Sequence, residues 1–150
     1  MNLVALLGSG MKSDEVLEIL EHFELTVIYD FDRTHENMDD LYWASAKSAG
    51  FELRFNAHQI LDTIFLYAQV RDGFSPIDRT IAAVPFFATF DDANTALRAQ
   101  GLDFRTSPGE MGSPGYKWWI KANHGTHTVH YQYNREGELA VVTVSWPAGA

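Results

Sequence analysis

Apolar residues alternate with polar ones on both sides of a short polar turn, and the chain carries this pattern twice. In residues 51–68 (FELRFNAHQILDTIFLYA), Phe51, Leu53 and Phe55 precede the turn, and Ile64, Leu66 and Ala68 follow it. In residues 129–146 (VHYQYNREGELAVVTVSW), Val129, Tyr131, Tyr133, Val142, Val144 and Trp146 take the same places, at an ungapped offset of 78 residues. Only Asn56/Asn134 and Leu61/Leu139 are identical. Alternation at period two around a turn predicts a half-buried antiparallel hairpin. The turns fall near residues 56–59 and 134–138, where Gly137 relieves the backbone. A repeated unit of this length implies duplication.

The segments ahead of the hairpins read differently. Ser13 is an N-cap, Asp14 and Glu15 suit a first turn, and Val16, Leu17, Ile19, Leu20 and Phe23 form an apolar stripe, which predicts a helix of about three turns. Residues 25–31 are β-prone at Thr26-Val27-Ile28-Tyr29. Residues 41–48 form a candidate strand carrying Trp43. Residues 71–80, with Gly73, Pro76 and two aspartates, are the connection between halves. Residues 81–90 are apolar and broken by Pro85. Asp91 or Asp92 then caps a short helix through Gln100, and Gly101 stops it. Residues 107–115 hold two prolines and three glycines and read as a loop. The following strand, 116–122, aligns Trp118-Trp119-Ile120 with Tyr42-Trp43-Ala44 at a slightly shorter offset.

This order predicts an α+β fold. Two αβββ-like repeats, about 1–72 and 81–150, make a single compact domain with an antiparallel sheet of at least six strands and helices packed on one face. The other face, bearing Thr63, Phe65, Tyr67, Gln69, Val141, Thr143 and Ser145, is only moderately polar and is a candidate binding surface.

Composition narrows the partners. At 150 residues and 46% hydrophobic content the chain can bury a core. Twenty acidic against eleven basic residues give a net charge of −9, which repels nucleic acid and anionic membrane and attracts cations or basic proteins. Solubility is the competing explanation of the same acidity. With no cysteine, disulfides and thiolate chemistry are excluded. Residues 1–7 are apolar but lack a basic leader, and no stretch approaches the ~18 apolar residues that span a bilayer. A cytoplasmic protein is expected.

Chemistry is harder to find. His124, His127 and His130 (HGTHTVH) are the most tempting cluster. On one extended strand His124 and His130 share a face ~20 Å apart while His127 points away, too far for a common metal. A bend at Gly125 would bring His124 closer, and His35, His22 or His58 could join from elsewhere. Ordinary strand histidines, no metal and no cofactor are expected. Asp30, Asp32, Glu36, Asp39 and Asp40 gather around a lone Arg33. Asp30-x-Asp32-x-Thr34 starts a calcium-loop pattern, but His35 stands where the turn needs glycine. A carboxylate pair for general acid/base work, a solvated acidic loop and an acidic patch for a basic partner remain the alternatives. Gly8-Ser9-Gly10 and Gly112-Ser113-Pro114-Gly115 fit neither a phosphate loop nor a nucleophile elbow. Trp118 and Trp119, with Tyr116 and Lys117, have the rings to stack a base, but the net charge opposes nucleic acid and core burial of one ring competes.

Three segments carry a resemblance: Leu6-Leu7-Gly8 with the helix from Ser13, the block AGFELRF…ILDTIFLYAQVRDGF (49–74), and HTVHYQYNREGELAVVTV (127–144). With them the chain resembles bacterial immunity proteins of polymorphic or contact-delivered toxins. The repeated layout is similar to the β-lactamase-inhibitor-protein type of fold, although those proteins are secreted and carry disulfides, and their repeat has a helix-loop-helix. The resemblance implies a non-enzymatic binding protein that neutralises a cognate toxin by occluding its active site, and the acidity of the chain suits a basic toxin. The expected contacts are Asp30, Asp32, Glu36, Asp39 and Asp40 for charge, with Trp43, Tyr67, Trp118 and Trp119 as aromatic anchors. Two alternatives compete. One is a small-ligand site or enzyme between the repeats using His124, His127 or His130; the other is a structural protein that self-associates through its sheet.

Overall fold

A computed structural model describes residues 1–30, 40–107 and 118–146. Helix α1 (Asp14–His22) starts where the sequence places it: the Ser13 hydroxyl accepts from the Val16 N–H, and Val16, Ile19 and Leu20 are buried. Helix α2 (Phe90–Ala99) is capped by Thr89, whose Oγ1 accepts from the Asp92 N–H at 3.2 Å. Asp91 and Asp92 are therefore first-turn residues and not caps. Phe90, the first residue of the helix, docks its ring edge-on to Tyr133.

Four strands follow each helix, one more than expected. They are β1 (Val27–Asp30), β2 (Leu41–Ala46), β3 (Phe51–Phe55) and β4 (Leu61–Tyr67) after α1, and β5 (Asp103–Thr106), β6 (Trp119–Asn123), β7 (Thr128–Tyr133) and β8 (Leu139–Ser145) after α2. All eight make one antiparallel sheet in the order β1-β2-β3-β4-β8-β7-β6-β5. The extra strands are the outermost. Edge strands are half-solvated and need little apolar sequence, and β5 offers only Phe104 as an apolar residue.

The two hairpins pair in matching registers. Phe51 opposes Leu66 and Leu53 opposes Ile64; 78 residues on, Val129 opposes Val144 and Tyr131 opposes Val142. Each ladder shifts register at the same place, Arg54/Phe55 and Gln132/Tyr133. Ala44 opposes Leu53 as Ile120 opposes Tyr131, so Trp43 and Trp119 sit at matching positions.

Residues directly opposite across a ladder share a face. On one face Ala44, Phe51, Leu53, Phe55, Ile64, Leu66, Ile120, Ala122, Val129, Tyr131, Val142 and Val144 are buried in one cluster with Val16, Ile19 and Leu20 of α1 and Ala93 and Leu97 of α2. The connection 71–80 is packed down. Phe74 lies over Tyr67 on the opposite face, with ring centroids 4.2 Å apart, while Ile77 joins the main core. Between those anchors the chain passes Gly50, where Ser75 N–H donates to Lys47 O and Ile77 N–H donates to Tyr67 O.

Candidate partner-binding face

Alternate residues of every strand point away from the core, so the second face is a direct consequence of the period-two pattern. One row across it runs Ile28, Trp43, Arg54, Thr63, Ser145, Thr128, Asn123, Asp103. The next runs Ser45, Glu52, Phe65, Thr143, His130, Lys121, Arg105. A third holds Tyr67, Val141, Gln132 and Trp119.

At the β2 end, Trp43 is half-buried and stacks on Phe65, with centroids 6.0 Å apart. Arg54 pairs with Asp62 at 3.1 Å, and the Ser45 hydroxyl donates to Glu52. On the β6 side, Trp119 is half-buried and stacks on His130 at 5.4 Å. The two tryptophans are five strand spacings apart, about 24 Å.

The expected anchors are therefore not equivalent. Trp43 and Trp119 present rings on the second face. Tyr67 is on that face but only 9% exposed, because Phe74 covers it, so it is a packing residue and not an anchor. Burial raises the pKa of its hydroxyl. Trp118 is 49% exposed but precedes Trp119 by one residue and so has the opposite strand parity; its N–H donates to Ser107 Oγ at 3.0 Å.

Of the acidic residues, Asp30 ends β1 and is exposed, and Asp40 accepts from the Tyr29 hydroxyl at 2.6 Å. That hydrogen bond, with desolvation and the charge of the carboxylate, pushes the Tyr29 hydroxyl up to about 12. Asp32, Glu36 and Asp39 lie outside the described residues. So does all of the 107–115 loop except Ser107 and the start of the strand expected at 116–122.

The histidines are arranged otherwise than an extended strand requires. Gly125, at φ +86°, closes a two-residue turn with Thr126, so His124 N–H donates to His127 O and the two rings stack 4.9 Å apart. His130 stands on the opposite face beside Trp119. Among the described residues no group of three or more His, Cys, Asp or Glu is placed to hold a metal ion. Both halves belong to one sheet, joined by β4 and β8, so no cleft separates two sheets.

Two functional features escape the sequence. Phe65 becomes an aromatic platform only through its stack with Trp43. Arg105 and Lys121 become neighbours only because β5 pairs with β6. With Asp103, Asn123 and Thr128 they line a cavity of about 200 Å³; a second, of about 310 Å³, lies between the N-terminus and α1. Alternation with Trp119 is the signal that puts Lys121 on this face, while β5 carries too weak a pattern to place Arg105.

Burial, and then Lys121, hold the His130 pKa below its ordinary value. The unfolded chain thus binds the proton more readily, and stability falls as pH drops through the unfolded-state value near 6.5. His130→Gln is expected to flatten the urea-midpoint slope between about pH 7 and pH 5. An unchanged slope in the variant would remove His130 from this account.

No protein-family model, no curated protein and no solved structure matches the chain. No helix among the described residues is long and apolar enough to cross a membrane.

Proposed function

We propose that this chain is a cytoplasmic immunity protein that neutralises a cognate protein toxin by laying the second face of its sheet over the toxin's active site. The observation that carries this reading is the placement of Trp43 and Trp119. Both are half-buried aromatic rings at matching positions of two hairpins, on the face opposite the helix-bearing core. Tryptophans held by stacking lose little side-chain entropy on binding and are favoured as interface anchors. We read the matching registers as the mark of a duplicated αββββ scaffold with its helices on the core face, as in the layout of β-lactamase-inhibitor proteins. The net charge of −9 supports electrostatic steering toward a basic partner, with Asp30 at the Trp43 end of the face. A histidine-dependent reaction draws less support, since His130 and the His124–His127 pair lie on different faces.

Coexpression with the product of the adjacent gene tests the reading through growth rescue and copurification. Trp43→Ala and Trp119→Ala are each expected to weaken the complex by about 2 kcal/mol, roughly 30-fold, with unchanged circular dichroism. A harmless neighbour, or failed rescue with both proteins soluble, would sink the toxin assignment. Wild-type affinity in both variants would move the interface off this face. A dimer in sedimentation at micromolar concentration, with no other partner bound, would favour self-association.

A further inference from the structure

One row of the second face places Arg105 directly opposite Lys121, with His130 next and Thr143 beyond. Directly opposed side chains on a sheet have Cβ atoms about 5 Å apart, and like charges there destabilise. Both cations are exposed, and among the described residues neither stands in an ion pair. The nearest carboxylate on β5 is Asp103, two residues from Arg105 on the same face. A cavity of about 200 Å³ opens between the two cations. Asn123 and Thr128 complete its polar lining; the Asn123 Oδ1 accepts from Gly125 N–H, which leaves its amide NH₂ to donate elsewhere. The lining therefore offers four groups able to donate, a guanidinium, an ammonium, an amide and a hydroxyl, beside the apolar Phe104 and Ala122. Its volume is below the ~300 Å³ typical of small-molecule pockets and suits a single side-chain group. Asp103 also lines the cavity and is its one acidic group; its charge opposes a dianion more than a monoanion.

We infer that this cavity seats a carboxylate, carried by an acidic side chain of the protein partner. The source of the carboxylate rests on the binding role proposed above; the site itself does not. The face then has opposite charges at its two ends, Asp30 on β1 and Arg105 with Lys121 on β5 and β6. Seven strand spacings separate the edges, about 34 Å, so the partner is oriented along the sheet as well as attracted to it.

The test is an amide-resolved NMR titration of the full chain with N-acetyl-glutamate. N-acetyl-glutamine and matched sodium chloride serve as controls, and inorganic phosphate is run in parallel. Saturable millimolar shifts at Arg105, Lys121, Asn123 and Thr128 are expected. They should weaken at least tenfold in the Arg105→Gln/Lys121→Gln double variant and stay within about threefold in Lys121→Arg. Equal shifts from sodium chloride, or undiminished binding in the double variant, would overturn the site. Phosphate binding tenfold tighter than N-acetyl-glutamate would overturn the carboxylate assignment. Because the probe needs no partner, a failed rescue with intact probe binding would remove the toxin reading and leave the site standing.

Discussion

Gly50→Ala should destabilise the protein by more than about 4 kcal/mol and lower its urea midpoint far below that of the wild type. A Cβ at residue 50 would lie 2.3 Å from Ser75 O, 2.6 Å from Ile77 N and 2.8 Å from Ile77 Cα, all of them backbone atoms that cannot rotate away. The residue also has φ +83°, which costs an L-residue about 1–2 kcal/mol before any clash. Relief requires residues 74–77 to lift off, exposing Phe74 and Ile77, each worth about 2–3 kcal/mol of burial. The sum exceeds about 4 kcal/mol, a large share of the 5–15 kcal/mol that holds a typical domain together. Gly137 is the internal control: it has φ +80° and nothing within reach of an added Cβ, so Gly137→Ala should cost only about 1–2 kcal/mol. Urea unfolding of both variants decides it. A Gly50→Ala midpoint close to that of Gly137→Ala would mean that the connection does not press on the β2–β3 turn.

The second large effect belongs to Phe51→Ala. Phe51 is fully buried, faces Leu66 and Ala46 across its two ladders, and packs edge-on to Phe23 just beyond α1, with centroids 5.0 Å apart. Truncating a phenylalanine in such a site costs about 3–5 kcal/mol, because the walls of the cavity are strands that cannot collapse. For a chain of this size that lowers Tm by roughly 6–20 °C. Val129 holds the matching position in the other hairpin and is smaller, so Val129→Ala should cost about 2 kcal/mol. Denaturant and thermal unfolding of the two variants should differ in that order. A Phe51→Ala cost below about 1 kcal/mol would contradict its place in the core.

Much of the architecture was legible residue by residue. Phe51, Leu53 and Phe55 alternate, so β3 and its turn were readable, and the same holds for Val129, Tyr131 and Tyr133. Ser13 announced α1 through its hydroxyl. Thr89 did not announce α2, because two aspartates after it are equally good caps by composition, and the hydrogen bond from Asp92 N–H to the Thr89 hydroxyl marks the first turn. The outer strands were the weakest reading: Ile28 is 62% exposed on β1, and β5 has one apolar residue. An edge strand is held mainly by backbone hydrogen bonds to its neighbour, and these leave little mark on side-chain choice.

The candidate face divides in the same way. Local periodicity determined which residues leave the core, because a strand alternates its side chains whatever its surroundings. That placed Phe65, Tyr67 and Thr143 on the second face before any tertiary contact was known. Only the tertiary structure decided which of them stay accessible and which neighbours they meet. Phe74 returns from seven residues downstream to cover Tyr67, Gly125 turns His127 back against His124, and pairing of β5 with β6 brings Arg105 beside Lys121. Each of these depends on contacts across turns or between strands. A pattern read along one strand contains the direction of a side chain, but not the identity of what lies beside it.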